Sequence, residues 1–119
     1  MSEKTTLTEI RNYCAAKEGT TEDFPFDFDV LTIRIGGKIF LLCDITSNPL
    51  RFNLKCDPDN AIMLREKYPA ITPCYHMNKR HWNTVTIDGT LAPELIYKMI
   101  DDSYSLVYKG LTKKEKESV

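Results

Sequence analysis

The clearest pattern in the chain is a pair of apolar runs on either side of two glycines. Val30–Ile35 and residues 38–43 are rich in β-branched and other apolar residues, and Gly36 and Gly37 join them. Two strands linked by a two-residue glycine turn predict a β-hairpin. The second run is apolar at every position from 39 to 42, so it is predicted to be a central strand covered on both faces or nearly so.

Two later segments alternate apolar and polar residues, as strands with one buried face do. They are Leu50–Lys55 and Trp82–Ile87. Val85 and Ile87 share the apolar face of the later strand. Trp82 is therefore predicted to point the other way and to be partly exposed.

The first two helices are predicted from their end signals and apolar stripes. The first covers residues 7 to about 17, with Thr6 and Glu9 at the spacing of a capping box. The second begins at position 58, where a proline follows the N-cap residue Asp57, and it ends before the next proline.

The third helix is predicted to be the longest, from position 91 to about 111. Its apolar stripe should hold the buried positions Ile96, Met99, Ile100, Ser103 and Val107. Ser103 is expected to bond back to the preceding helical turn. Residues 112–119 form a charged tail that is expected to fray. Residues 20–26 should be a short extended segment, because Pro25 excludes a central strand.

The order of elements is helix, strands, helix, strand, helix. It predicts an α+β fold, an antiparallel β-meander covered on one face by helices. We expect one domain over residues 1–119, with a core from about 7 to 111.

Composition limits the function classes. The 119-residue chain has a net charge of -1, which argues against a general nucleic-acid coat protein. Residues 1–36 hold seven acidic and four basic side chains, whereas residues 37–119 hold ten acidic and twelve basic ones, so a local basic face is allowed. No apolar run is long enough for a membrane span. The four scattered cysteines and the absence of an apolar leader predict free thiols in the cytoplasm.

Candidate chemistry is concentrated in residues 68–85. This segment contains both histidines and the only tryptophan of the protein. Its eight positions from 76 to 83 carry no acidic side chain. It is the first candidate for a recognition surface.

Four segments resemble the MmcQ/YjbR family. They are residues 30–40 with the Ile-Gly-Gly-Lys-Ile-Phe turn, residues 53–58, residues 75–85 with the His-Met-Asn-Lys-Arg-His-Trp-Asn block, and the pair Ser103-Tyr104. The resemblance covers about residues 7–113. It implies a fold similar to secretion chaperones and CyaY-like domains, and a DNA-binding role through a winged β arrangement.

The resemblance and the basic segment together predict weak, salt-dependent DNA binding. Lys79 and Arg80 can neutralise phosphates, Asn78 and Asn83 can bond phosphates or base edges, and Tyr75, like His76 and Trp82, can stack on bases. The residues expected to contact DNA are Lys38 at the hairpin tip, His76, Asn78, Lys79, Arg80, His81, Trp82 and Asn83. The competing interpretation places Trp82 and Val85 in the core and leaves the basic pair solvated or salt-bridged to acidic side chains of the helices.

Metal and catalytic sites are weaker interpretations. Cys74, His76 and His81 lie close in sequence, and Cys56 precedes a helix N-terminus, where a thiol pKa can fall. No zinc spacing or catalytic motif is present, so we expect no metal, no cofactor and no enzymatic activity.

The alternative to DNA binding is a protein- or peptide-interaction module. Secretion-chaperone-like folds bind extended peptides by adding a strand to a sheet edge. The acidic N-terminal part of the chain would suit a basic peptide. The chain is expected to be a monomer or a weak dimer.

Overall fold

The computed structural model describes residues 5–75 and 77–119. Ten elements follow one another: α1 (Leu7–Ala15), β1 (Thr20–Asp23), β2 (Val30–Ile35), β3 (Lys38–Asp44), β4 (Leu50–Lys55), α2 (Pro58–Lys67), β5 (Ile71–Pro73), β6 (Trp82–Ile87), α3 (Pro93–Lys109) and α4 (Lys113–Glu117). The strands form one antiparallel sheet in the order β1-β2-β3-β4-β6-β5. The predicted α+β meander is confirmed.

The first two helices begin where the sequence places their caps, and α3 begins at Pro93, two positions later than predicted. The side chain of Thr6 accepts from the backbone N–H of Glu9, and the Glu9 carboxylate accepts from that of Thr6. The Asp57 carboxylate accepts from the first backbone N–H groups of α2. These bonds satisfy amides that have no partner inside the helix. The five stripe residues predicted for α3 are its buried residues.

The core lies between the sheet and the three longer helices. One sheet face carries Leu31, Ile33, Leu41, Phe52 and Val85, all at most 1% exposed. The register pairs these positions across the strands, for example Ile33 with Leu41 and Phe52 with Val85. The opposite face is mostly polar and is called the outer face below.

The central position of β3 is confirmed, but its outer face is only partly covered. Ile33 pairs with Leu41 and Arg34 with Ile39, so Phe40 is the extra residue of a β-bulge. The bulge lets Phe40 and Leu41 both face the helices, and Phe40 meets the Tyr104 ring edge-on at 5.5 Å. On the outer side, Leu42 is half-buried.

Ser103 closes the gap that this bulge leaves, so the predicted bond to its own helix is wrong. Its hydroxyl donates to the Phe40 carbonyl at 2.6 Å and accepts from the Lys55 backbone N–H at 2.9 Å. Next to this site, Leu41 of β3 pairs directly with Leu54 of β4. The serine therefore relays the next bond between β3 and β4.

The charged tail is also ordered, contrary to the prediction that it frays. Thr112 caps α4 by accepting from the Glu115 backbone N–H at 3.1 Å. Leu111 lies over Gly36, where a Cβ atom would come within 2.6 Å of it. The apolar Leu111 thus anchors this helix to the hairpin tip.

A polar network joins α1 to α3. Asp101 accepts hydrogen bonds from Tyr13 at 2.8 Å and from Lys17 at 2.5 Å. Burial opposes ionisation, but the two bonds outweigh it and lower the pKa of Asp101. The bond to Asp101, together with burial, raises the pKa of Tyr13 to about 12.

Candidate nucleic-acid interface

Two neighbouring surface cavities meet at Pro73 and Tyr75. One, of about 380 Å³, lies between α2 and the loop before β6, and its polar lining includes Arg65, Lys79 and Arg80. The other, of about 280 Å³, lies on the outer face of the sheet and is lined by Asp44, Ser47, Arg51, Asn53, Thr72, Pro73, Tyr75 and Thr84. We call the two cavities and their shared rim the Tyr75 surface.

The Tyr75 side chain lies on the rim and is mostly exposed to solvent. It is 74% exposed, and the ammonium nitrogen of Lys79 lies 5.4 Å from its ring centre. An aromatic ring in water with a cation beside it is suited to stacking on a planar, negatively charged ligand.

The loop that carries these side chains is fixed at several points. Arg65 donates through Nε to the Asn83 side-chain oxygen at 2.7 Å and through Nη2 to the Lys79 carbonyl. The Asn78 side chain accepts from the Arg80 backbone N–H at 2.9 Å. Arg65 is therefore a brace between the sheet and the loop, and Asn78 forms the turn.

The strand that follows the loop separates its side chains onto two faces. Asn83 points into the core, is 2% exposed and pairs with Leu54. Its amide is thus turned away from any surface ligand, and its Nδ2 lacks a protein hydrogen-bond partner among the described residues. Trp82 is half-buried on the outer side opposite Lys55, as the alternation predicts.

The structure brings together only part of the predicted contact set. Lys79, Arg80 and the turn residue Asn78 are exposed beside Tyr75, and His81 is half-buried. His76 lies outside the described residues. Arg51 and Arg65 had no signal in the sequence, because only strand order and helix packing place them here.

Lys38 lies elsewhere. It is on β3, two strands from β6 in the sheet order, which corresponds to about 10 Å. Its ammonium is 3.8 Å from a Glu115 carboxylate oxygen. The hairpin tip is therefore backed by α4 and is separate from the Tyr75 surface.

The charge of the Tyr75 surface is positive. Arg51, Arg65, Lys79 and Arg80 line it, against the carboxylates of Asp44 and Asp59. Hydrogen bonds from Thr46 lower the pKa of Asp44, which keeps it ionised at neutral pH. In the described part of the chain, neither Lys79 nor Arg80 forms an ion pair with a carboxylate.

The thiols lie in the interior of the domain. All four cysteines are buried and unpaired. Burial raises the pKa of Cys56, so the fall expected beside a helix N-terminus does not occur. Over residues 5–75 and 77–119, no group of three His, Cys, Asp or Glu side chains is placed to hold a metal ion.

The sheet with its helices on one face and its basic, aromatic loop defines a small α+β domain with a concave polar surface. The chain belongs to the YjbR family, whose sequence model matches residues 15–106. Among the described helices, none is long and apolar enough to cross a membrane.

Relatives confirm this membership. The uncharacterized protein YbdF of Escherichia coli O157:H7 is 40% identical over 98 residues, which cover 81% of this chain and 79% of YbdF. The uncharacterized protein YjbR of Escherichia coli K12 is 33% identical over 99 residues, covering 83% and 84% of the two chains.

A solved structure extends the likeness to the whole fold. The crystal structure of the Deinococcus radiodurans protein DR2400 superimposes with a TM-score of 0.89 at 40% identity, covering 98% of this chain and 88% of that one. A Pseudomonas syringae protein gives a TM-score of 0.73 at 30% identity, covering 86% of this chain and 98% of that one.

Proposed function

We propose that this protein binds nucleic acid through the Tyr75 surface and acts by binding alone. The observation that carries the proposal is the exposed Tyr75 ring on the rim of two cavities. Lys79 and Arg80 flank this ring, and neither forms an ion pair with a carboxylate of the described residues. Unpaired cations contribute affinity for phosphate, and an exposed ring contributes stacking.

Binding should be weak and independent of sequence. Three cations that are not used in the loop brace, Arg51, Lys79 and Arg80, line the Tyr75 surface, and Arg51 lies across from the Asp44 carboxylate. A strong binder makes six to ten phosphate contacts. The groups that could read a base edge are few, because Asn83 is buried and the Asn78 side-chain oxygen is used within the loop.

The test is fluorescence anisotropy with labelled DNA of mixed sequence, single-stranded and duplex, over a series of salt concentrations. The double variant Lys79→Ala, Arg80→Ala should lose most of the affinity and lower the salt slope by about two. The matched control is Lys113→Ala, Lys114→Ala, which removes the same charge from exposed positions of α4. A loop variant that binds both forms of DNA as tightly as the parent would refute the proposal.

A second candidate function is protein binding at the opposite edge of the sheet. Phe24, Phe26 and Phe28 are 39%, 68% and 92% exposed, and Asp27 and Asp29 alternate with them after the edge strand β1. Apolar rings among carboxylates suit a basic peptide with apolar side chains, added as a strand along β1.

This candidate makes a different prediction about salt. Capture of a partner that depends on these rings should survive nuclease treatment and high salt, because apolar burial is not screened. The variant Phe26→Ser, Phe28→Ser should then lose the partner while it keeps nucleic-acid binding.

A further inference from the structure

We infer that the nucleic acid taken by the Tyr75 surface is single-stranded DNA or RNA, with one base stacked on the Tyr75 ring. This inference rests on the proposed function and names its ligand more narrowly. It depends on three features: the exposure of the ring, the concave shape of the surface around it, and the placement of the hairpin tip.

The first feature is the ring itself. At 74% exposure, Tyr75 presents much of its surface to solvent, and the Lys79 ammonium at 5.4 Å covers only a small part of it. In a duplex the base faces are covered by neighbouring base pairs, so the ring has nothing to stack on. A single strand offers each base face at little cost.

The second feature is shape. The protein elements that enter the major groove of duplex DNA are a protruding helix or β-ribbon. The Tyr75 surface is instead two adjoining hollows of about 380 and 280 Å³. Hollows of this size accept a flexible strand with its bases turned out, whereas a rigid duplex would span them.

The third feature concerns the glycine hairpin of β2 and β3, whose tip a winged arrangement would use. Lys38 at this tip lies near Glu115 and two strands away from β6. Leu111 covers the turn at Gly36. The tip is therefore part of the packing against α4 and is separate from the cations beside Tyr75.

The path of the strand follows from the cations. Lys79 and Arg80 line the first hollow and Arg51 the second, with Tyr75 between them. A backbone crossing the rim would place phosphates on both sides of the stacked base. The outer-face hollow also offers Asn53 and Thr84, whose side chains bond each other at 2.7 Å, as polar partners for a base edge.

The experiment compares fluorescein-labelled dT12, rU12 and a 12-base-pair duplex by anisotropy at 50 and 200 mM salt. Single strands should bind at least tenfold more tightly than the duplex. Three phosphate contacts on a single strand give a slope of about -2, which weakens binding roughly 18-fold between the two salt concentrations. The Arg51→Gln variant should reduce this salt effect to roughly sevenfold.

The stacking role is tested at Tyr75. Tyr75→Ala should weaken single-strand binding by roughly 5- to 150-fold with an unchanged salt slope, and Tyr75→Phe should restore it. The matched control is Tyr108→Ala, because Tyr108 also carries a lysine ammonium, that of Lys116, 5.2 Å from its ring. This control should bind as the parent does.

The outcomes separate the two proposals. Duplex binding as tight as single-strand binding, or Tyr75→Ala without effect, would overturn the single-strand inference and leave nucleic-acid binding in place. No binding of any of the three probes at 50 mM salt would overturn both. A preference between dT12 and rU12 would identify the source of the strand, since only RNA carries the 2′-hydroxyl.

Discussion

Removing the Ser103 hydroxyl should destabilise the fold far more than the loss of one small polar group suggests. The side chain is fully buried. Its oxygen bonds the Phe40 carbonyl and the Lys55 N–H at the bulge between β3 and β4. Ser103→Ala leaves both backbone groups without a partner.

The magnitude follows from those two groups. A buried donor or acceptor left unsatisfied costs about 1–3 kcal/mol, and partial closure of the strands should recover some of that. The void left by one hydroxyl is too small to hold a water molecule. We therefore expect a loss of about 2–4 kcal/mol in the free energy of unfolding, or roughly 8–16 °C in Tm for a chain of this length.

The assay is urea unfolding followed by the fluorescence of the single tryptophan, with circular dichroism as a second probe. Ser105→Ala is the matched control, because Ser105 is exposed on the same helix. It should change stability by less than about 0.5 kcal/mol. Amide exchange at Lys55 should accelerate in the Ser103 variant. A loss below about 1 kcal/mol would show that the two backbone groups bond each other directly once the serine is gone.

Three further predictions follow from burial and charge. Trp82→Ala should lower the free energy of unfolding by less than about 2 kcal/mol, because the ring is half-buried. The control Phe52→Ala should lower it by about 3–5 kcal/mol. Equal losses would place the tryptophan in the core. Asp101→Asn should lower the free energy of unfolding at pH 7. The pKa of Asp101 in the folded state lies below its ordinary value of 3.8, so the parent is more stable than the variant above pH 3.8 and loses this difference as the pH falls through the folded-state pKa. A difference in stability that persists in acid would refute the network. Burial raises the pKa of both Cys14 and Cys43 to about 12, so a thiol reagent at pH 8 should label them only after unfolding, and rapid labelling of the native protein would contradict this.

Local patterns predicted the elements whose signal is repeated along the chain. The hairpin, the stripe of α3 and the outward direction of Trp82 each depend on several residues with a fixed period. Two elements had no such signal. β5 has three residues and ends in Pro73, and α4 has five residues, all of them charged. Both are held by tertiary contacts and capping.

The bulge and the loop brace could not be predicted for a different reason. Phe40 is an apolar residue in an apolar run, so the sequence does not distinguish it. Only the register of β3 with its two neighbouring strands shows that Phe40 is the bulged residue, which has no partner in either strand. Arg65 and Asn83 are 18 positions apart in sequence. Their bond exists because α2 packs against β5, the strand next to β6, and a period along one element carries no information about such packing.

The loop before β6 is therefore held by one set of side chains and presents another set to solvent. The Arg65 guanidinium donates to the Asn83 side-chain oxygen and to the Lys79 carbonyl. These bonds fix the loop, and they occupy the guanidinium, which is then less available to a ligand. Lys79 and Arg80 then keep their charged ends in solvent without a carboxylate partner among the residues described here. Folding gains little from an exposed ring and two unpaired cations held in this way. Under the proposed function, the loop presents this ring and these cations beside a hollow to a ligand that carries both a planar ring and negative charge.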